Sequence, residues 1–162
     1  MIWWGVKTEA AFDVWSIEHL IMGITVGWIA DKIISKRILG DEKVSEKTRN
    51  RINVVIVLMI AYMWETLEHY IETGLFGGPV RYWFQGVEHW TNRLIFDNIM
   101  VVLGWTIYVK RGGFVWFARV FSIVWLTVHI FMFPHSMYLH TMFENNDNNE
   151  INAIEVLETE KD

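Results

Sequence analysis

Three adjacent Glu-His pairs occur in the chain, at "IEHL" (Glu18, His19), "LEHY" (Glu68, His69) and "VEHW" (Glu88, His89). With 13 Glu and 6 His among 162 residues, chance supplies about half of one such pair. Imidazole and carboxylate gathered around the interior of a helical bundle are the ligand set for iron, zinc, copper or manganese. Neighbours on a helix point about 100° apart, so one pair cannot offer both members to one site. The useful spacings are three and four. Glu65, His69 and Glu72 form one such stripe, with Glu68 on its flank; His89, Arg93 and Asp97 form another, in which Arg93 is expected to pair with Asp97.

These residues must be carried by apolar elements. The apolar residues, 52% of the chain, fall into four blocks at about residues 14–34, 52–71, 87–109 and 114–133. Each is about 20 residues, which at 1.5 Å per residue matches the roughly 30 Å core of a bilayer. A soluble bundle needs a polar face on each helix, and "VVIVLMIAYMW" and "FSIVWLTVHIFMF" have none. The expected fold is therefore all-α: a polytopic integral membrane protein built as a four-transmembrane-helix bundle over residues 1–133. "TGLFGGP" breaks the chain between the second and third spans, "KRGG" makes a tight turn between the third and fourth, and Pro134 stops the last. Residues 134–162 follow as an acidic, Asn-rich tail of disordered composition.

Orientation follows from Lys and Arg. Seven of the 14 lie between Asp31 and Arg51, and Lys110, Arg111 and Arg119 join them on the same side. The expected localisation is the cell membrane, multi-pass, with N- and C-termini extracytoplasmic. All six His then fall towards the outer side, together with Glu18, Glu65, Glu68, Glu72, Glu88 and Asp97, as one polar layer. Ionisable groups so close to hydrocarbon are costly and tend to face the interior and one another. Glu65 and Asp97 lie deepest, which makes them the candidate catalytic residues. The candidate metal ligands are His19, Glu65, His69, Asp97 and His129, for a transition metal such as copper, iron or zinc. Cys is absent, so thiolate zinc sites, iron–sulfur clusters, disulfides and covalent haem attachment are excluded. No HExxH and no Glu-x-x-His occurs, so neither the zinc-peptidase nor the ferritin-like pattern is met. Gly23 and Gly27 make a small-xxx-small pair on the first helix, suited to close packing within the bundle.

The layout resembles the VanZ-like membrane proteins. That family carries an acidic-then-His element in helix 1, a Glu late in helix 2, and an Arg…Asp…Asn…Gly run in helix 3. Here Glu18 and His19, Glu65 and Glu68, and "RLIFDNIMVVLG" (Arg93, Asp97, Gly104) occupy those places. The family's Asn is Val101 in this chain, and its second Gly is Tyr108. The resemblance implies a membrane-embedded enzyme acting on lipid or lipid-linked substrates.

The residues themselves point first to a subunit or accessory of a larger membrane complex, because so little of the chain lies outside the spans. Its expected partners are the lipid bilayer and other proteins of that complex, with no nucleic acid. A further alternative is a small b-type cytochrome with His69 and His129 as haem ligands.

Overall fold

A computed structural model describes residues 2–40, 44–84 and 86–131. The chain is mostly helical. It opens with strands β1 (Ile2–Trp4) and β2 (Ala10–Phe12), paired in parallel with Ile2 beside Ala10 and Trp4 beside Phe12. Helix α1 (Val14–Ile29) starts at Asp13, whose Oδ1 accepts from the backbone N–H of Trp15 (2.7 Å) and Ser16 (3.1 Å). Ser16 Oγ accepts from the Asp13 N–H in return, completing a capping box. The helix continues through π-helical turns (Ala30–Ser35) into α2 (Lys36–Leu39) and ends at Gly40, whose φ of 59° lies in the left-handed region.

Helix α3 (Glu46–Thr73) is capped by Ser45 and ends at Gly74 (φ 114°). Short α4 (Gly78–Phe84) follows. A π-helical segment (Asn92–Phe96) leads into α5 (Asp97–Lys110), and a 3-10 turn (Gly112–Phe114) leads into α6 (Val115–Phe131).

The four apolar blocks thus become helix, with changes at the edges. Residues 87–89 precede the third helix instead of opening it, and α4 occupies part of the expected break. The strand pair was not expected; Ile2–Trp4 and Ala10–Phe12 are short runs with no period to reveal them. Among the described residues one helix, α3, is long and apolar enough to cross a membrane, and Val115–Val128 is a shorter apolar helix. The end of the fourth block and the tail at 134–162 lie outside the described residues.

Helix α1 is central, packed on α5, α6 and α3. Its seam with α5 is a close backbone approach. A Cβ added at Gly104 would sit 2.0 Å from the Leu20 carbonyl oxygen, and one at Gly23 would sit 2.3 Å from that of Val101. Gly27 likewise packs on Trp105 and Tyr108, as the small-xxx-small spacing anticipates.

Apolar contacts surround this seam in two groups, Val26, Ala30, Ile56, Val57, Ala61 and Val101 in one, and Ile24, Tyr108, Val115 and Ala118 in the other. At the basic end, Asp31 accepts from Asn53 Nδ2 (3.2 Å) and Tyr108 Oη (2.9 Å), which ties the end of α1 to α3 and α5. Arg119 lies 4.1 Å over the Trp28 ring. The burial pattern is inverted relative to a soluble domain. The largest fully buried side chains include Glu65, Glu72, Asn53, Asn92 and Asp97, while Met63 (70% exposed), Trp116 (74%) and Ile123 (65%) face outward.

Candidate metal centre

The carboxylates converge at the end of the bundle opposite the basic loop. Ser16 and His19 come from α1, Glu65, Glu68 and Glu72 from α3, Glu88 from the segment before the π-helical turns, and Asp97 from the first turn of α5. Glu65, Glu72 and Asp97 are buried to within 1% of their surface. Two sets of three ligand atoms lie within 4.8 Å of one another: His19, Glu65 and Glu68, and Glu65, Glu88 and Asp97. Glu65 belongs to both.

Donors behind these groups fix their orientation. His19 Nδ1 is 2.9 Å from the Trp15 carbonyl oxygen. A carbonyl only accepts, so the proton sits on Nδ1 and Nε2 is turned into the site. Ser16 Oγ donates to Asp97 Oδ1 (2.9 Å), and Asn92 Nδ2 donates to Glu88 Oε1 (2.9 Å). The atoms facing the centre are left over: His19 Nε2, both Glu65 oxygens and Asp97 Oδ2 are buried without a hydrogen-bond partner. His19 Nε2 lies 2.9 Å from Glu65 Oε1, but the two are not aligned as a hydrogen bond. Neighbouring ligands of one ion with bonds of about 2.1 Å are separated by about 3 Å, the spacing of this pair.

The charge balance is acidic. Among the described residues on this side, Lys7 pairs with Glu72, Arg93 donates to His69 Nδ1, and Arg81 is exposed. That leaves Glu65, Glu68, Glu88 and Asp97 without a cationic side chain other than His19, and burying unpaired carboxylates is expensive. Asp13, at the edge of the cluster, feels the same field: burial and then the neighbouring Asp97 push its carboxyl up from 3.8 to about 6, against the backbone hydrogen bonds that lower it.

Of the five ligands expected from the sequence, His19 falls in the first set, Asp97 in the second and Glu65 in both. His69 is not among them; it is held by Arg93 and is half-buried. The side chain of His129 lies outside the described residues. The expected Arg93–Asp97 pair gives way to Arg93–His69, because the π-helical turns of Asn92–Phe96 alter the helical phase between them and set Asp97 against Ser16 of α1. Glu68 and Glu88 enter the centre in place of His69. Glu88 has a local signal, Asn92 four residues on; its N–H also donates to Glu72 Oε2 (3.1 Å).

The N-terminal segment closes this end. Lys7, 3% exposed, pairs with Glu72, and its carbonyl accepts from the His89 N–H (2.8 Å). Lys7→Met is expected to destabilise the protein by about 3–5 kcal/mol, since it leaves a buried carboxylate alone. Adding Glu72→Gln should recover part of that loss in thermal unfolding; additive losses would show that the two do not interact.

No protein-family model, curated protein or solved structure matches the chain.

Proposed function

We propose that this protein is a multi-pass membrane protein that holds a divalent transition metal at its outer end, as a subunit of a larger membrane complex. The observation that carries the metal reading is the pair of ligand sets, His19 with Glu65 and Glu68 and Glu65 with Glu88 and Asp97, in which His19 Nε2, both Glu65 oxygens and Asp97 Oδ2 are left without hydrogen-bond partners. One imidazole among carboxylates suits Mn(II), Fe(II) or Zn(II) better than Cu(I), which favours sulfur ligands. Outward-facing apolar side chains on every long helix favour several spans, and the placing of the termini outside rests on the Lys and Arg distribution of the sequence. Assembly with other subunits is supported by the small extent of the described chain beyond its helices.

A second reading, a membrane-embedded enzyme acting on lipid or lipid-linked substrates, is favoured by one observation. The residues that carry the VanZ-like resemblance are distant in sequence, yet Glu65 lies in a ligand set with His19 and in another with Asp97, and Gly104 lies in the α1–α5 seam.

Two measurements test the proposal. Metal content of protein extracted gently from native membranes should be at least one ion per chain, and background content would end the metal reading. For topology, the chain lacks Cys, so single Cys substitutions at Lys47 and Gly78 label cleanly. The Gly78 position should react with impermeant reagents in intact cells and the Lys47 position only with permeant ones; the reverse pattern would place the centre on the other side.

A further inference from the structure

The shared position of Glu65 in the two ligand sets carries more than one ion. We propose that the centre is dinuclear, with Glu65 bridging one divalent ion held by His19 and Glu68 and a second held by Asp97 and Glu88. This rests on the metal reading above.

Three observations support it. Both oxygens of Glu65 are buried without a hydrogen-bond partner, as a carboxylate needs if each oxygen is to bind a different ion. The remaining ligands divide into two groups, each within 4.8 Å of the Glu65 ligand atom it shares. Opposite ligands on bonds of about 2.1 Å are about 4.2 Å apart, so each group needs to contract by roughly half an ångström, within reach of a carboxylate rotation. Charge is the third. Glu65, Glu68, Glu88 and Asp97 carry four negative charges when ionised, and His19 must give up any Nε2 proton and be neutral to bind an ion. Two divalent ions bring the buried site to zero; one leaves two charges unbalanced in a low-dielectric interior.

The supporting donors fit this division. The Ser16 hydroxyl occupies Asp97 Oδ1 and leaves Oδ2 free, and the Trp15 carbonyl holds the His19 ring with Nε2 inward. Each half of the site therefore has an orienting partner on α1, a hydrogen bond behind the ligand that holds its free atom towards the ion. Paired ions bridged in this way sit about 3.5–4 Å apart.

The test uses the full chain in lipid nanodiscs, stripped of metal and titrated with Mn(II). Two Mn(II) per chain are expected, with a low-temperature electron paramagnetic resonance spectrum showing exchange coupling between them. Asp97→Asn and Glu68→Gln, which each remove one half of the site, should each bind no more than one ion and lose the coupling. One ion per chain in the unaltered protein, or two that are uncoupled, would overturn the dinuclear proposal and leave the metal reading standing. No binding at all would overturn both. The unaltered protein decides the matter by itself, so a variant that fails to fold does not.

Discussion

Glu65→Ala is expected to weaken metal binding by at least about 100-fold, beyond the loss usual for a supporting residue, while leaving the metal-free protein as stable as before or more stable. The two halves of this expectation have different causes. Glu65 contributes to both ligand sets, so its loss takes an oxygen from every ion the centre holds. In the metal-free protein the same carboxylate is 1% exposed and makes no aligned hydrogen bond, with His19 Nε2 2.9 Å from Oε1 as its near neighbour, an arrangement that opposes folding unless His19 neutralises it. Removing it relieves that cost, which offsets the small cavity left by the side chain. With metal present at 100 times its Kd, the unaltered protein gains about 2.7 kcal/mol from binding, and the variant does not. A purely structural role for the His19–Glu65 pair predicts otherwise: a loss of about 3–5 kcal/mol, the same with or without metal, from a broken buried pair. Thermal unfolding in nanodiscs, with and without added Zn(II), separates the two.

The second large effect is expected at the seam that positions the centre. Gly104→Leu should destabilise the protein by about 3 kcal/mol or more and disrupt metal binding together with the fold. Even the first carbon of the new side chain would lie 2.0 Å from the Leu20 carbonyl oxygen and 2.8 Å from the Gly23 Cα, so backbone, not a pliable side chain, stands in the way. Overpacking of this kind usually costs about 1–3 kcal/mol where side chains can yield, and here α1 and α5 must separate. His19 lies on α1 one residue before Leu20, and Asp97 is two turns before Gly104 on α5, so separation pulls the ligands apart. Leu103→Ala is the control. Leu103 is 46% exposed on the adjacent face, and its removal should change stability by less than about 1 kcal/mol. Equal effects at the two positions would show that the seam is not tightly packed.

The helices were legible because long apolar runs carry their own signal: the blocks at 14–34 and 52–71 fall within described helix. Glycine spacing also read correctly, since Gly23 and Gly27 have no other reason to sit four apart in an apolar helix. The polar layer was visible as a surplus of Glu-His pairs, and Glu65 and Asp97, with Glu72, are among its fully buried members. What failed was phase. A π-helical segment adds residues to a turn without a compositional mark, and Asn92–Phe96 does so between Arg93 and Asp97. The same limit hid Glu88, which precedes the helix and reaches the centre from non-helical backbone. Lys7 was hidden for another reason: it is a long-range partner of Glu72, 65 residues away, and a lone Lys near a chain start reads as solvated.

The central claim is that an ion sits among His19, Glu65 and the carboxylates around them. X-ray absorption at the zinc edge, on full-length protein loaded with one equivalent of Zn(II), reads that environment directly. The account predicts nitrogen and oxygen ligands at about 2.0–2.2 Å with the outer-shell scattering of at most one imidazole. The spectrum of hydrated zinc, or a first shell with two or more imidazoles, would contradict it, because among the described residues the centre offers one histidine and His69 is held elsewhere.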